Sequence, residues 1–228
     1  NLADDPDLLD NEYTTAGGDD ANSGLFPGEP KASIRSVLEA FDLDTGDTVL
    51  VDTGEYILST NIIVTANDAG VTIVGAKQPG HATILNRNNT SSGSYVFELD
   101  NADGLTLDSL TITGGYYGIY AGTNSDSDNV TIRDSRLHSN AHQEIFLETS
   151  NDSVTITGSL ENSKSEVFDL LSSGYYGIHL KGDSSTVSQT RVHGHSYGIY
   201  VTGKGNLIEH NVVYNNSTIG IYHSVSND

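Results

Sequence analysis

The chain is expected to fold as an all-β, single-stranded right-handed parallel β-helix, with three short strands per coil, about seven coils and a short N-terminal capping helix. Three observations lead there. A Gly-Ile-aromatic motif recurs along the chain, a Val-Thr-Ile motif recurs in phase with it, and apolar residues within each alternate. Alternation is strand periodicity, and self-similarity at a short period marks a solenoid.

The first motif reads Gly118-Ile119-Tyr120, Glu144-Ile145-Phe146, Gly177-Ile178-His179, Gly198-Ile199-Tyr200 and Gly220-Ile221-Tyr222, at steps of 26, 33, 21 and 22 residues. The second reads Val71-Thr72-Ile73, Leu105-Thr106-Leu107, Val130-Thr131-Ile132 and Val154-Thr155-Ile156, fading into Val187-Ser188-Gln189 and Leu207-Ile208-Glu209. A third stretch lies between them: Leu110-Thr111-Ile112, Arg136-Leu137-His138, Arg191-Val192-His193 and Val212-Val213-Tyr214. Three strands per period make one triangular coil. Helical repeats would need apolar residues at i, i+3, i+4 and i+7, and leucine-rich repeats need more Leu at fixed spacing. Coils stack about 4.8 Å apart, so equivalent positions form ladders. Ile119, Ile145, Ile178, Ile199 and Ile221 are expected to form one inward column.

Residues 1–47 read as an acidic segment with a helical cap, and 48–228 as the solenoid. Residues 33–41 carry the one clear helical pattern: Ile34, Val37, Leu38 and Phe41 share a face, and Pro30 precedes the start. Such a helix would shield the unpaired edge of the first coil. At the other end the last motif runs at full strength and no polar cap follows before Asp228, so further coils, a following domain or a partner subunit are expected there.

Composition narrows the function. Against 31 acidic residues stand 10 basic ones, a formal net charge of -21. Nucleic acid is excluded as a partner, because phosphate binding needs Lys and Arg, and anionic membrane surfaces are disfavoured likewise. The charge suits a high-salt or calcium-rich medium that screens carboxylate repulsion. There is no Cys for a disulfide framework, and no apolar run is long enough for membrane insertion. The chain begins at Asn1 without Met or a visible signal peptide, which reads as a mature form or a piece of something longer.

The stretch Gly18-Asp19-Asp20-Ala21-Asn22-Ser23-Gly24, through Lys31-Ala32-Ser33-Ile34 to Gly46-Asp47-Thr48-Val49, together with the Tyr-Gly-Ile-Tyr repeat, resembles the pectate-lyase-like right-handed β-helix superfamily of secreted bacterial proteins. The resemblance covers most of the chain. It implies the fold and a secreted, extracellular or cell-surface location, but not one function, because this scaffold hosts lyases, hydrolases, epimerases, adhesins and structural modules. The catalytic sets of those enzymes do not recur: His193-Gly194-His195 lacks carboxylate partners, Asp-Pro-His is absent, and no spacing singles out a Lys or Arg base.

Several groups of residues are candidates for chemistry. Alternation sends Tyr120, Phe146, His179, Tyr200 and Tyr222 outward as one ladder, flanked by Tyr116 and Tyr175. Such a row can carry sugar rings, and it is also what strand propensity and stacking produce. Beside it Glu144 and Glu148 are expected to leave the same face, with His179 and Lys181 on the next coil. These are the acid–base groups of an enzyme or members of a surface salt bridge. Coils 71–104 and 154–186 run long; the second holds Glu161, Lys164, Glu166 and Asp169, pinned by Val167, Phe168, Leu170 and Leu171, and would wall a groove beside His179. Hard oxygen ligands at Asp19, Asp20 and Asn22, and at Asn124, Asp126 and Asp128, suit Ca²⁺ or ordinary turns. His138 and His193 share one column, and His195 aligns with Asn140 and Asn216. Two readings result: a non-catalytic extracellular module (a structural rod or surface filament component) contacting polysaccharide or another subunit through its Tyr ladder, or the N-terminal part of a calcium-dependent polysaccharide lyase, hydrolase or epimerase.

Overall fold

From Thr48 onward the described residues wind into stacked coils because each coil's inward residues find an apolar partner one rung away. The structure, a computed structural model, describes residues 1–160, 164–169 and 175–224. Among these, 21 strands form three parallel sheets of seven strands each, every coil giving one strand to each sheet. The first sheet runs from Thr48–Leu50 to Leu207–Glu209, and the second from Gly54–Ile57 to Val212–Tyr214. The third comprises Ile62–Thr65, Tyr95–Asp100, Tyr117–Ala121, Gln143–Leu147, Tyr176–Leu180, Tyr197–Val201 and Ile219–His223.

The five isoleucines occupy one register column, extended upstream by Phe97 and Ile62. Ile119, Ile145, Ile178 and Ile199 are fully buried, whereas Ile221 on the last described rung is 47% exposed. Burying each such side chain contributes roughly 1.5–3 kcal/mol. In the first sheet Ile73, Leu107, Ile132, Ile156 and Val187 point inward, while a threonine ladder from Thr48 to Thr186 lies on the other face.

The long 154–186 coil differs from the sequence expectation. Glu166–Phe168 is not part of an insertion but the coil's second-sheet strand, paired with Arg136–His138 and Arg191–His193. Val167 is buried and completes the inward column of Leu137 and Val192. Glu161, Leu170 and Leu171 lie outside the described residues.

Corners are made by single left-handed residues. Before the first-sheet strands these are Gly70, Gly104, Asn129, Ser153, Ser184 and Gly205, all with positive φ. Backbone N–H groups at the corners are taken by side chains of the next coil: Asn151 Oδ1 accepts from Ser127 N at 2.9 Å before the first sheet, and between the second and third sheets Asn140 Oδ1 accepts from Gly115 N at 2.8 Å and Asn216 Oδ1 from His195 N at 3.1 Å. Such ladders answer the rule that buried backbone donors must be satisfied.

The helix forms over Ile34–Ala40, with Ser33 as N-cap accepting from Ser36 N. Ile34 is buried, Val37 and Leu38 pack against the core, and the helix lies beside Ile62–Thr65. The preceding segment is anchored by buried Asp52. Its carboxylate accepts from the backbone N–H of Glu12, Tyr13 and Thr14 and from Thr14 Oγ1, at 2.7–3.1 Å.

Candidate functional site

The third sheet carries the aromatic face. All tyrosines except Tyr13, Tyr56 and Tyr214 lie on it or at its edge. One row runs Tyr120, Phe146, His179, Tyr200 and Tyr222, with consecutive ring centroids 4.5–5.8 Å apart. A second runs Tyr116, His142, Tyr175 and Tyr197, at 5.0–6.0 Å. Tyr117 and Tyr176 join the two. The outward ladder is not uniformly exposed as alternation predicts. Phe146 and His179, in its middle, are buried by neighbouring rings, whereas Tyr175 is 49% exposed. Tyr200 and Tyr222 stack nearly parallel, at 13°. Stacked rings use their faces on each other, so this surface offers mainly ring edges and hydroxyls. Burial and adjacent tyrosines push the Tyr117 phenol up to about 12, so it stays a neutral donor.

Glu144 is where the sequence expectation fails. It is fully buried and points into the solenoid. The reason is a break in alternation: Tyr117 and Tyr120 both stack on the outer face, with Gly118 and Ile119 buried between them. The Gly column therefore faces an interior corner. A Cβ on Gly118 would come 2.9 Å from Asn140 Nδ2, on Gly177 2.8 Å from the His195 ring, and on Gly198 2.7 Å from Asn216 Nδ2. Glu144 takes this Gly position, so its carboxyl goes inside, where it accepts from Asn140 Nδ2. Burial raises it well above the usual carboxylate range, with Asp169 adding to the effect.

The other three acid–base candidates are on the face but do not converge. His179 Nδ1 lies 3.1 Å from Gln143 Oε1, and burial, aided by the Lys181 charge, lowers the imidazole to about 4, so it is neutral at pH 7. Glu148 and Lys181 form the expected cross-strand pair at 2.9 Å, and the ammonium sits 4.9 Å from the Phe146 ring centroid.

The acidic turns serve the backbone. Asp20 accepts from Ala32 N, Ser33 N and Ser36 Oγ, tying the turn to the helix start; Asp19 accepts from Ala21 N, and Asn22 Nδ2 donates to Pro30 O. Asn124 is exposed, and Asp126 takes a left-handed conformation in the same loop. Asp128 belongs to a ladder absent from the sequence expectations. Asp103 accepts from Asp128 N, Asp128 from Asp152 N, Asp152 from Asp183 N, and Asp183 from Lys204 N, all at 2.6–2.8 Å. Its signal is legible in retrospect, as an Asp two residues before each first-sheet apolar start in Asp103-Gly104-Leu105, Asp128-Asn129-Val130 and Asp152-Ser153-Val154.

The histidines are dispersed. Phe168 stacks between His138 and His193, at 4.8 and 5.5 Å, and His193 Nε2 lies 3.2 Å from Glu166. His142 stacks between Tyr116 and Tyr175. His81 lies 3.2 Å from Glu12, and His210 3.5 Å from Glu209. His223 is on the last described rung. His195 is buried in the interior corner, and burial lowers it to about 4. Among the described residues, no three His, Asp or Glu side chains gather as a metal site.

The expected groove beside His179 rests on residues 161–163 and 170–174, which lie outside the described residues; a separate groove of about 530 Å³ opens at the corner of the first and second sheets, between the 76–82 loop and Lys164, over Ser109, Leu110 and Thr111.

Comparison with known proteins agrees with this architecture. The family described as periplasmic copper-binding protein (NosD) matches residues 45–228, from just before the first strand onward. No curated protein and no solved structure matches the chain. Because the match covers most of the chain, it belongs to the NosD family of periplasmic β-helix proteins and works outside the cytoplasm.

Proposed function

We propose that this chain is a non-catalytic extracytoplasmic module, a rigid β-helical rod whose tyrosine face contacts extended glycans. The observation that supports it is the double row of rings on the third sheet, with hydroxyl-bearing edges at rung spacing and Tyr175 half-exposed. Amphipathic rings of this kind offer a sugar both apolar surface and hydrogen bonds. The acid–base candidates support the non-catalytic part: Glu144 is inside the solenoid, His179 is buried against Gln143, and Glu148 is paired with Lys181.

The family description names copper, and the donors of this chain do not fit it. Copper sites draw on thiolate, thioether or clustered imidazole ligands. The chain has no Cys and no Met. Its eight histidines all fall among the described residues, and there they contribute to no group of three candidate ligands. We therefore assign no copper site to this module and no step to the metal.

The test is retention on immobilised polysaccharides. The parent protein should be retarded, and joint replacement of Tyr120, Tyr200 and Tyr222 by Ala should abolish the retardation; unchanged retention of that variant rejects the tyrosine face. For copper, the expected outcome is that neither Cu(I) nor Cu(II) co-elutes stoichiometrically with the protein in the presence of a competing chelator. Stoichiometric co-elution would overturn the copper-free assignment.

A further inference from the structure

The two rows of rings stand on a face that holds no unpaired Lys or Arg among the described residues. None of the seven third-sheet strands carries either residue, whereas strands of the other two sheets hold Arg133, Arg136 and Arg191. The cation set against the rings is Lys181, whose ammonium sits 4.9 Å from the Phe146 centroid and 2.9 Å from Glu148 Oε2. Beyond it Lys204 lines a pocket with Lys181, Asp152 and Asp183, two carboxylates against two ammonium groups. Near the upstream edge Arg87 is buried and donates to Asn61 Oδ1 and Leu58 O. Burial lowers His142, and lowers His179 to about 4 with help from the Lys181 charge, so both imidazoles in the rows are neutral at pH 7.

Negative charge does reach the rings. Glu98 shares the outward column with Ile63 and Tyr120, and Asn61 Nδ2 donates to it at 2.8 Å. Burial raises the Tyr95, Tyr117 and Tyr120 phenols; Glu98 adds to the rise at Tyr95 and Tyr120, and Glu148 adds to it at Tyr117 and Tyr120. A carboxylate on a bound sugar would meet the same two acids that these phenols meet. Recognition of a carboxylate draws on charged donors, Arg above all, and like charges across a contact cost affinity. A neutral sugar needs no such donor, because its hydroxyls and C–H faces match neutral phenols and ring edges.

We propose that the tyrosine face is selective for neutral glycans, and that Glu98 and the Glu148–Lys181 pair turn acidic ones away. This selectivity rests on the glycan contact proposed above and gives it a ligand class.

The test is retention at about 150 mM salt on immobilised glucan, mannan and galactan against alginate and polygalacturonate, with a chelator present so that no divalent cation bridges carboxylates. A neutral matrix should retard the parent at least about tenfold more strongly than either acidic one. The double variant Glu98→Gln, Glu148→Gln frees the Lys181 ammonium and removes two like charges, and should narrow that ratio about fivefold. Equal retention of the parent on acidic and neutral matrices, lost in the Tyr120, Tyr200, Tyr222 triple variant, would overturn the selectivity and leave the glycan contact standing. An unchanged ratio in the double variant would overturn the role of the two acids. Retention on no matrix would reject the glycan contact itself, and the selectivity with it. The comparison of matrices on the parent needs no variant, so it decides even where the double variant fails to fold.

Discussion

Replacing Glu144 with Gln should flatten the pH dependence of stability. In the folded chain burial keeps this carboxyl protonated well above its ordinary value of 4.5, while the unfolded chain releases the proton near that value. The folded pKa is raised, so the stabilisation is complete below pH 4.5 and is lost as pH rises toward the folded pKa. Across that window each pH unit costs the parent about 1.4 kcal/mol that E144Q does not lose. His179 and His195 act in the opposite direction. Lowered to about 4 from 6.5, they keep their contribution above pH 6.5 and lose it as pH falls toward 4, but both proteins carry them and the difference cancels. Urea unfolding followed by circular dichroism from about pH 5 to about pH 7 measures the gap. It should widen in favour of E144Q as pH rises above the ordinary carboxylate range, and level off only above the folded pKa. A constant gap would mean that the Glu144 carboxyl ionises freely in the folded chain, and the inward Gly column would be wrong.

Three further outcomes follow from the same geometry. Neighbouring carboxylates in the Asp103, Asp128, Asp152, Asp183 ladder stand one rung apart, so each adjacent pair repels by about 1 kcal/mol in water-like surroundings, screened as the Debye length falls from about 10 Å at 0.1 M to about 3 Å at 1 M salt. Melting temperature should rise over that range, Asp128→Asn should raise it most at low salt, and Ca²⁺ should act no differently from Mg²⁺; a melting point indifferent to salt counts against the ladder's repulsion. Asp52→Ala removes the acceptor of four backbone N–H groups, three of them in residues 12–14, and should cost about 3 kcal/mol while exposing residues 1–33 to protease, so an unchanged digestion pattern would contradict the anchor. Ile145→Ala, at a fully buried rung in the middle of its column, should cost about 2–5 kcal/mol by chemical denaturation; a loss below about 1 kcal/mol, the scale of exposed sites, would place the residue outside the core.

The architecture was legible in the amino-acid order alone, because a parallel solenoid repeats one local rule in every coil. Ile119, Ile145, Ile178, Ile199 and Ile221 could be read as a column from spacing alone, and so could the Val-Thr-Ile strands and the helix after Ser33. Phe97 and Glu166–Phe168 escaped because the long coils shift the spacing while the register is kept. The direction of the Gly column, the burial of Phe146 and His179 and the place where a groove opens at the first corner came only from the packing of coil on coil. Alternation is a rule for one strand, whereas the corner filled by Asn140, His195 and Asn216 belongs to neighbouring coils, and their side chains settle whether a residue such as Glu144 meets water or the core.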